Sequence, residues 1–316
     1  MTLSIAHANR RAGGIAFIVA ALACFSALDT STKIVATAVP VVMVMWMRTL
    51  VQTVSTAVVL MPTHGLALLR TRRAGMHIAR GLLVLSSSVT AYFSLQHMHV
   101  GEFTAIAMLT PLLLTVIAAW ALREPVSALR WLCVVGGFAG TLAVIRPGRE
   151  LFQLATLLPL LLVASNAAYQ VLTSRLASTD EPGTMHFYTG LTGLVATALV
   201  LPFAWQDLPR HVWAMVGLIS MFSTLGHFLL IVAYSRAQVA VLTPYLYLQI
   251  AFAALGGWIV FSHVPDAWSL AGIAVISFCG VFGTWLTGRE ALGGVRRDPA
   301  VSRIVAIAAA ASTDPY

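Results

Sequence analysis

The chain has 316 residues, of which 59% are hydrophobic and only 9% are charged, with a net charge of +8. Soluble globular domains carry about 25% charged residues, so this composition excludes an ordinary soluble protein. The apolar residues fall into segments of about 20, the length that crosses a bilayer as a helix. The expected fold class is all-α integral membrane, because helices satisfy their own backbone hydrogen bonds in lipid.

Ten apolar segments are predicted to span the membrane, separated by breaks rich in proline, glycine or charge. In chain order they cover residues 14–36, 41–61, 79–98, 102–122, 128–146, 152–173, 184–204, 212–234, 238–261 and 267–287. We expect the first segment to be retained rather than cleaved as a signal peptide, because its apolar run continues to Val39.

Arginines concentrate in the breaks on one side of this arrangement. Arg70, Arg73 and Arg236 lie on the side shared by both termini, whereas Arg149 and Arg210 lie on the other. Basic loops stay in the cytoplasm, so both termini are predicted to be cytoplasmic in a multi-pass protein of the inner (plasma) membrane. The net positive charge is thereby explained by topology, and no nucleic-acid partner is expected.

The two halves of the chain resemble each other. Lys33 and Pro40 recur at one common offset as Arg175 and Pro182. Each half has five predicted spans, an odd number, so the second half enters the membrane from the opposite side. Inverted repeats are typical of secondary transporters, whose substrate sites lie near the bilayer midplane. The predicted units are a first repeat, a second repeat and a cytoplasmic tail, at residues 14–148, 152–288 and 289–316.

A series of short motifs occurs in order along the chain: Asp29, Lys33, Pro40, Arg48, Glu102-Phe103-Thr104-Ala105, Pro111, Glu124, Gly136 to Gly140, Tyr169 and Phe187-Tyr188-Thr189-Gly190. Together they resemble the drug/metabolite transporter (DMT) superfamily, specifically its EamA-type ten-helix carriers, over about residues 14–288. The resemblance implies two inverted five-helix repeats around a central cavity. It also implies substrates that range from amino acids to riboflavin, S-adenosylmethionine and drugs. One departure is His263, where the family often has a second helix-ending glutamate.

Asp29 and Arg48 are charged residues inside predicted spans, where a charge costs about 2.5–3.5 kcal/mol to insert. At 1.5 Å per residue, both lie roughly 10 Å from the outer ends of their helices. We predict that they pair with each other or face the cavity. Together they suit a zwitterionic substrate, whereas direct pairing would serve only the fold. Lys33 is expected to extend to the membrane interface.

Uncharged polar and aromatic side chains within the spans are further candidates for substrate binding: Tyr92, Tyr169, His227, Tyr245 and Gln249. Each could equally bond to a neighbouring helix, as polar groups in membranes commonly do. His227 titrates near neutrality, which leaves proton coupling open.

Pro111 lies in the middle of the fourth predicted span and is the predicted gating residue. Proline frees a backbone carbonyl and kinks a helix, and a static kink is the alternative interpretation. Gly136 and Gly140 have GxxxG spacing, which we expect to pack the fifth helix within its own half. Glu124 is expected to form a salt bridge at the membrane interface.

Patterns for enzyme chemistry are absent from the sequence. There is no GxSxG, HExxH, P-loop or GxGxxG motif, and the three cysteines lack metal-ligand spacing. His97, His99 and Glu102 are close in sequence, but no further ligand cluster joins them, so no metal and no cofactor are predicted.

The leading hypothesis is a secondary-active transporter that moves a small metabolite by alternating access. The metabolite would be amino-acid-like, a vitamin or of nucleoside type, such as S-adenosylmethionine or riboflavin. The alternatives are an intramembrane enzyme and a channel-like facilitator. The expected partners are the substrate, the lipid bilayer and, if transport is coupled, protons. The sequence leaves the direction of transport and the oligomeric state open.

Overall fold

The computed structural model describes residues 2–65, 70–71, 73–121, 126–145, 157–176, 180–236 and 242–297. Within these ranges the chain is helical and has no strand, so the all-α fold class is confirmed. The first six helices are α1 (Thr2–Val35), α2 (Val41–His64), α3 (Ala74–His97), α4 (Val100–Ala107), α5 (Thr110–Ala121) and α6 (Ala128–Ile145). They are followed by α7 (Leu158–Leu176), α8 (Pro182–Ala204), α9 (Arg210–Arg236), a 3-10 helix (Thr243–Tyr247), α10 (Leu248–Phe261) and α11 (Ala267–Arg297). Glu124 and the tail after residue 297 lie outside the described residues.

Among the described residues, eight helical segments are long and apolar enough to cross a membrane. Two shorter apolar segments, Leu158–Thr173 and Tyr245–Phe261, coincide with the described parts of the predicted sixth and ninth spans. Large apolar side chains face outward from the bundle, among them Phe203 at 90% exposure and Trp120 at 79%. Lipid is the environment in which such a surface is stable. The chain is therefore a multi-pass membrane protein.

Helices of the first half pack mainly against helices of the second half. Within the described part of the chain, α1 packs along α9, α2 along α8, α4 along α10 and α6 along α11, while α3 lies against both α7 and α8. The largest buried apolar cluster, around Phe103, Ile106, Ile250 and Ile276, joins α4 to α10 and α11. The core of the bundle thus lies between the halves.

The crossing of α6 and α11 depends on glycine. A Cβ on Gly140 would lie 2.9 Å from the carbonyl oxygen of Gly272, and a Cβ on Gly136 would lie 2.7 Å from Cys279 Sγ. The two backbones meet directly at this crossing, which no larger residue would permit. The expectation that the GxxxG spacing packs within the first half is therefore wrong, because these glycines contact a helix of the second half.

The fourth predicted span is two helices rather than one. Met108 and Leu109 form a turn between α4 and α5. Pro111 has no N–H to donate to the carbonyl of Ala107 four residues earlier, and its ring would clash with that carbonyl. The hydroxyl of Thr110 donates to the Ala107 carbonyl instead, at 2.8 Å. The kink expected at Pro111 is thus a complete break in the helix, just before the proline.

Candidate functional site

A cavity of about 270 Å³ lies between the two halves. Its walls come from α1 to α4 on one side and from α7 to α10 on the other. The polar lining side chains are Asp29, Arg48, Thr49, Gln52, Ser87, Ser88, Asn166, Tyr169, His186, Thr189, His227 and Gln249. Five of the residues predicted as substrate ligands therefore meet in one cavity: Asp29, Arg48, Tyr169, His227 and Gln249.

Asp29 on α1 and Arg48 on α2 both line this cavity, and the two helices follow each other in the chain. The two side chains interact electrostatically, and the Gln249 amide side chain interacts with Asp29. In the described part of the chain, however, no direct ion pair joins Asp29 to Arg48. Arg48 Nη2 donates to Ser223 Oγ at 3.1 Å, and its Nη1 lies 3.8 Å from Met45 Sδ. A guanidinium has five N–H donors, so these two contacts leave Arg48 able to bind a ligand.

Two histidines of the second half lie beside the charged pair. His227 Nδ1 is 2.7 Å from the Ser223 carbonyl oxygen, and its ring meets Phe25 edge-on at 5.0 Å. A carbonyl only accepts hydrogen bonds, so Nδ1 carries the proton and Nε2 of the neutral ring is an acceptor. The His186 ring lies 6.2 Å from that of His227. His186 was not among the predicted site residues, because nothing in the neighbouring sequence marks it as facing inward.

Arg80 binds two residues that line the cavity, Tyr169 and Thr189, and it was also missed. It is only 6% exposed, and it donates to Tyr169 Oη and Thr173 Oγ1, each at 2.8 Å, and to Thr189 Oγ1 and the Met185 carbonyl, each at 2.6 Å. The predicted third span began at residue 79, which left Arg80 at the edge of a basic loop. In the structure α3 begins at Ala74, so Arg80 lies a full turn further in and points at the second half.

The end of the bundle that contains Arg80 also contains a buried histidine–carboxylate pair. His77 Nε2 lies 2.5 Å from Asp180 Oδ2, and Thr71 Oγ1 donates to that oxygen at 2.7 Å. The His77 ring stacks on Tyr188 at 5.0 Å. These contacts, like those of Arg80, join the first half to the second at this end of the bundle.

Tyr92 and Tyr245 do not line the cavity. Tyr92 is 1% exposed, and its hydroxyl donates to the carbonyls of Val35 and Val39 where α1 ends. Tyr245 packs against the apolar cluster around Ile18 and Leu22. The structure therefore gives both tyrosines contacts of a packing role, and the substrate role remains a prediction that their positions do not favour.

Pro111 also lies outside the lining, but the helix break that it causes borders the cavity. Ala107 and Met108 are lining residues, and the Tyr247 hydroxyl donates to the Met108 carbonyl at 3.3 Å. Tyr247 belongs to the 3-10 helix before α10, so the irregular segment of the second half contacts the helix break of the first half through this side chain. Broken helices of this kind line the substrate sites of secondary transporters.

Lys33 binds to the end of α3 rather than extending freely to the membrane interface. Its Nζ donates to the carbonyls of Leu95 and Met98, at 2.8 and 2.7 Å. The last carbonyls of a helix have no partners within the helix and carry partial negative charge, so an ammonium group there stabilises the helix end.

Membrane helices that enclose a polar cavity between two halves define the class: a helical multi-pass membrane protein with an internal polar cavity. The sequence profile of the EamA-like transporter family matches residues 12–146 and again residues 153–286, and the chain belongs to this family. This agrees with the DMT-superfamily resemblance described above. The names of the family and its relatives are those of transporters rather than enzymes.

Several characterised relatives share most of the chain. It is 27% identical over 267 residues to the riboflavin transporter of Brucella anthropi, covering 82% of this chain and 94% of that protein. It is 26% identical over 223 residues to the S-adenosylmethionine uptake transporter of Rickettsia felis, with 70% and 76% covered. It is 25% identical over 269 residues to the pseudopaline exporter CntI of Pseudomonas aeruginosa, with 83% and 93% covered. One crystal structure, 16% identical, shares the fold with a TM-score of 0.62 over 88% of this chain and 99% of that one.

Proposed function

We propose that this protein is a secondary-active carrier that moves a small zwitterionic metabolite through the cavity by alternating access. The observation that carries the proposal is that Asp29 and Arg48 face one cavity without a direct ion pair between them. Charges inside a membrane bundle are costly unless a partner compensates them. A ligand with one cationic and one anionic group would compensate both at once, through charge-assisted hydrogen bonds.

The cavity favours a compact substrate. Its volume of about 270 Å³ is just below the roughly 300–1,000 Å³ usual for small-molecule sites. Phe25, Phe103 and Tyr169 add aromatic surface to the lining. An amino-acid-like metabolite, or a zwitterion with a ring such as S-adenosylmethionine, fits this combination. Riboflavin carries neither charge, and it would bind through the amide, hydroxyl and imidazole groups instead.

Alternating access requires two halves that can move against each other, and the packing pattern supports this. Exchanging the halves turns the α1–α9 contact into the α7–α3 contact. The same exchange leaves the α2–α8, α4–α10 and α6–α11 contacts unchanged. A contact pattern that is unchanged when the halves are exchanged is expected if residues 14–148 and 152–288 are related by a two-fold axis. We propose this relation, with two inverted five-helix repeats and ten spans in total.

We further propose that both termini face the cytoplasm at the inner membrane, with residues 289–316 as a cytoplasmic tail. The basic breaks around Arg70, Arg73 and Arg236 support this orientation. The end that contains Arg80 and the His77–Asp180 pair then faces the cytoplasm. His227 lines the cavity beside Arg48 and is the residue we propose for proton coupling, because the Nε2 of its neutral ring is an acceptor that can take up a proton.

The test is uptake by the purified full-length protein in liposomes. Labelled S-adenosylmethionine, a neutral amino acid and riboflavin would each be offered, with unlabelled solute inside the vesicles. The proposal expects saturable uptake and counterflow for a zwitterion. Flux that rises linearly without counterflow would indicate a channel, and chemical conversion of the solute would indicate an enzyme. Either result would overturn the carrier.

A further inference from the structure

A second polar cluster lies at the end of the bundle opposite the His77–Asp180 pair. His99, in the connection from α3 to α4, and Glu102, in the first turn of α4, meet His263 in the connection from α10 to α11. One potential ligand atom from each residue lies within 4.8 Å of the other two. The two imidazole rings are stacked, with their centroids 3.2 Å apart and their planes 5° from parallel.

The carboxylate of Glu102 is held in place on the side away from the histidines. Its Oε1 accepts a hydrogen bond from Ser269 Oγ on α11 at 2.7 Å, and its Oε2 lies 3.4 Å from His99 Nδ1. Metal-binding carboxylates are typically oriented in this way by a second hydrogen bond.

His263 lacks the hydrogen bond that a buried imidazole nitrogen normally makes. Its Nε2 is buried and has no hydrogen-bond partner in the described part of the chain. A buried imidazole nitrogen that makes no hydrogen bond is able to bind a metal ion instead.

The other charges around the cluster nearly balance. Lys33 opposes the binding of a cation, but its Nζ is held by the carbonyls of Leu95 and Met98 at the end of α3. Asp266 places a negative charge near His263, which favours the binding of a cation. Glu102 then supplies negative charge directly at the cluster.

We propose that His99, Glu102 and His263 bind a divalent transition-metal ion of the zinc class. Two imidazoles and one carboxylate leave a fourth tetrahedral position for water or a substrate group. Metal–ligand bonds of about 2.0–2.1 Å require ligand atoms roughly 3.3 Å apart, and an imidazole binds a metal ion in the plane of its ring. The two stacked rings must therefore turn away from parallel as well as close in on the ion. They have room to do so, because the His99 side chain is 45% exposed and His263 follows the turn at Ser262. The sequence alone could not reveal the site, since His263 belongs to the other half of the chain.

The bound ion would join the two halves at this end. His99 and Glu102 belong to the first half and His263 to the second, so separating the halves here would break metal–ligand bonds. In a carrier such a link slows the opening of this end. This consequence rests on the proposed transport function, whereas the metal site itself does not.

Cobalt(II) is the probe, because tetrahedral Co²⁺ shows intense visible d–d absorption. Purified full-length protein, freed of any histidine tag, would be titrated with Co²⁺ in detergent. We expect saturable binding of one ion and competition by Zn²⁺.

His263→Ala and Glu102→Gln should each weaken binding at least about tenfold, with thermal unfolding confirming that the variants are folded. His97→Ala is the matched control, because His97 is exposed two residues before His99 and lies outside the cluster. Absence of saturable Co²⁺ binding, or equal losses in His97→Ala and His263→Ala, would overturn the site.

A transport measurement then tests the link between the halves. Zn²⁺ added at micromolar concentration should slow uptake by the wild type and leave uptake by His263→Ala unchanged. If Co²⁺ binds but Zn²⁺ does not change uptake, the link is refuted while the site stands. If no substrate is transported at all, the Co²⁺ titration still decides on the site, so its failure is distinguishable from failure of the carrier proposal.

Discussion

Asp29 and Arg48 compensate each other only at a distance, across a cavity that is open to a ligand. The second half of the chain has no charge at the corresponding positions, Val171 and Gly190. The two-fold architecture therefore does not require these charges. This separates them from Arg80, whose four hydrogen-bond acceptors all belong to the second half and hold the two halves together.

Neutral replacements at the two charged positions should weaken substrate binding without unfolding the protein. We expect Asp29→Asn and Arg48→Gln each to lower substrate affinity by about 10- to 150-fold, because a hydrogen bond to a charged group contributes about 1.5–3 kcal/mol. Affinity would be measured by thermal shift and by KM in liposomes.

Matched controls come from exposed residues of the same types. Asp207→Asn and Arg210→Gln alter a carboxylate and a guanidinium at an end of the bundle, and they should leave KM unchanged. Selectivity sharpens the test: Asp29→Asn should lose preference for the cationic group of the substrate and Arg48→Gln for the anionic group. A wild-type KM in both variants would place the binding site elsewhere.

The sequence predicted site residues whose burial in the membrane costs free energy, but it did not predict residues whose role depends on which helices contact each other. The cost of placing a charge in lipid singled out Asp29 and Arg48, and both face the cavity. Arg80 escaped notice because a shift of helix α3 by one turn changes a loop residue into a buried one. His186, and the pairing of His99 with His263, depend on which helices touch across the halves, and no local pattern encodes that.

At the scale of helices, the break between α4 and α5 is the irregular feature beside the cavity. Proline chemistry predicts its position from the sequence, and the hydroxyl of Thr110 shows how the freed carbonyl is satisfied. What the sequence did not reveal is the partner: Tyr247, whose own helix turns into a 3-10 segment opposite the break. The Tyr247 side chain thus links the 3-10 segment of the second half to the helix break of the first half.

Restoring the missing backbone donor should stiffen this element. In Pro111→Ala the new N–H can donate to the Ala107 carbonyl, so α4 and α5 can join into one helix; a proline within a helix costs about 3 kcal/mol. If the break gates transport, we expect a higher Tm together with a maximal rate about tenfold lower, equivalent to roughly 1.4 kcal/mol in the barrier. KM should change little.

Pro62→Ala provides the comparison for the Pro111 variant. Pro62 also lies inside a helix, α2, but it is exposed near the end of that helix and away from the cavity. Its replacement should leave the transport rate unchanged. If Pro111→Ala transports at the wild-type maximal rate while its Tm rises, the break is a static feature and not a gate.

On the scale of the whole molecule, the proposed alternating access requires the two halves to separate at one end and then at the other. Gly101 on α4 and Ala254 on α10 belong to different halves, and a Cβ on Gly101 would lie 3.5 Å from the Cβ of Ala254. This distance falls within the roughly 3.5–4.5 Å that a disulfide requires.

Cysteines at both positions should therefore lock the carrier. In a background with Cys24, Cys133 and Cys279 changed to serine, oxidation of the Gly101→Cys, Ala254→Cys double variant should abolish liposome uptake, and reduction should restore it. Each single cysteine variant, treated identically, should keep its activity. Full uptake by a protein shown by mass to be completely cross-linked would mean that the halves do not part at this end.

The overall architecture was predictable to a large extent, because hydrophobic length and composition decide which segments can enter a bilayer. The all-α membrane fold is confirmed, and eight segments of the described chain meet the requirements for a span. The pairing of helices was not predictable in the same way. Gly136 and Gly140 show this, because GxxxG spacing indicates a close contact but not which helix makes it.

The dominance of contacts between the halves has a consequence for biosynthesis. At about 5–20 residues per second, the ribosome needs roughly 7–30 s to add the second half after the first. During that interval α1, α2, α3 and α6 have inserted but lack the helices that cover them. Arg80 has none of its four acceptors, and Gly140 has no backbone to pack against. A chain that stops after the first half would leave the Arg80 guanidinium without any of these acceptors, which raises the cost of holding this charge within the membrane.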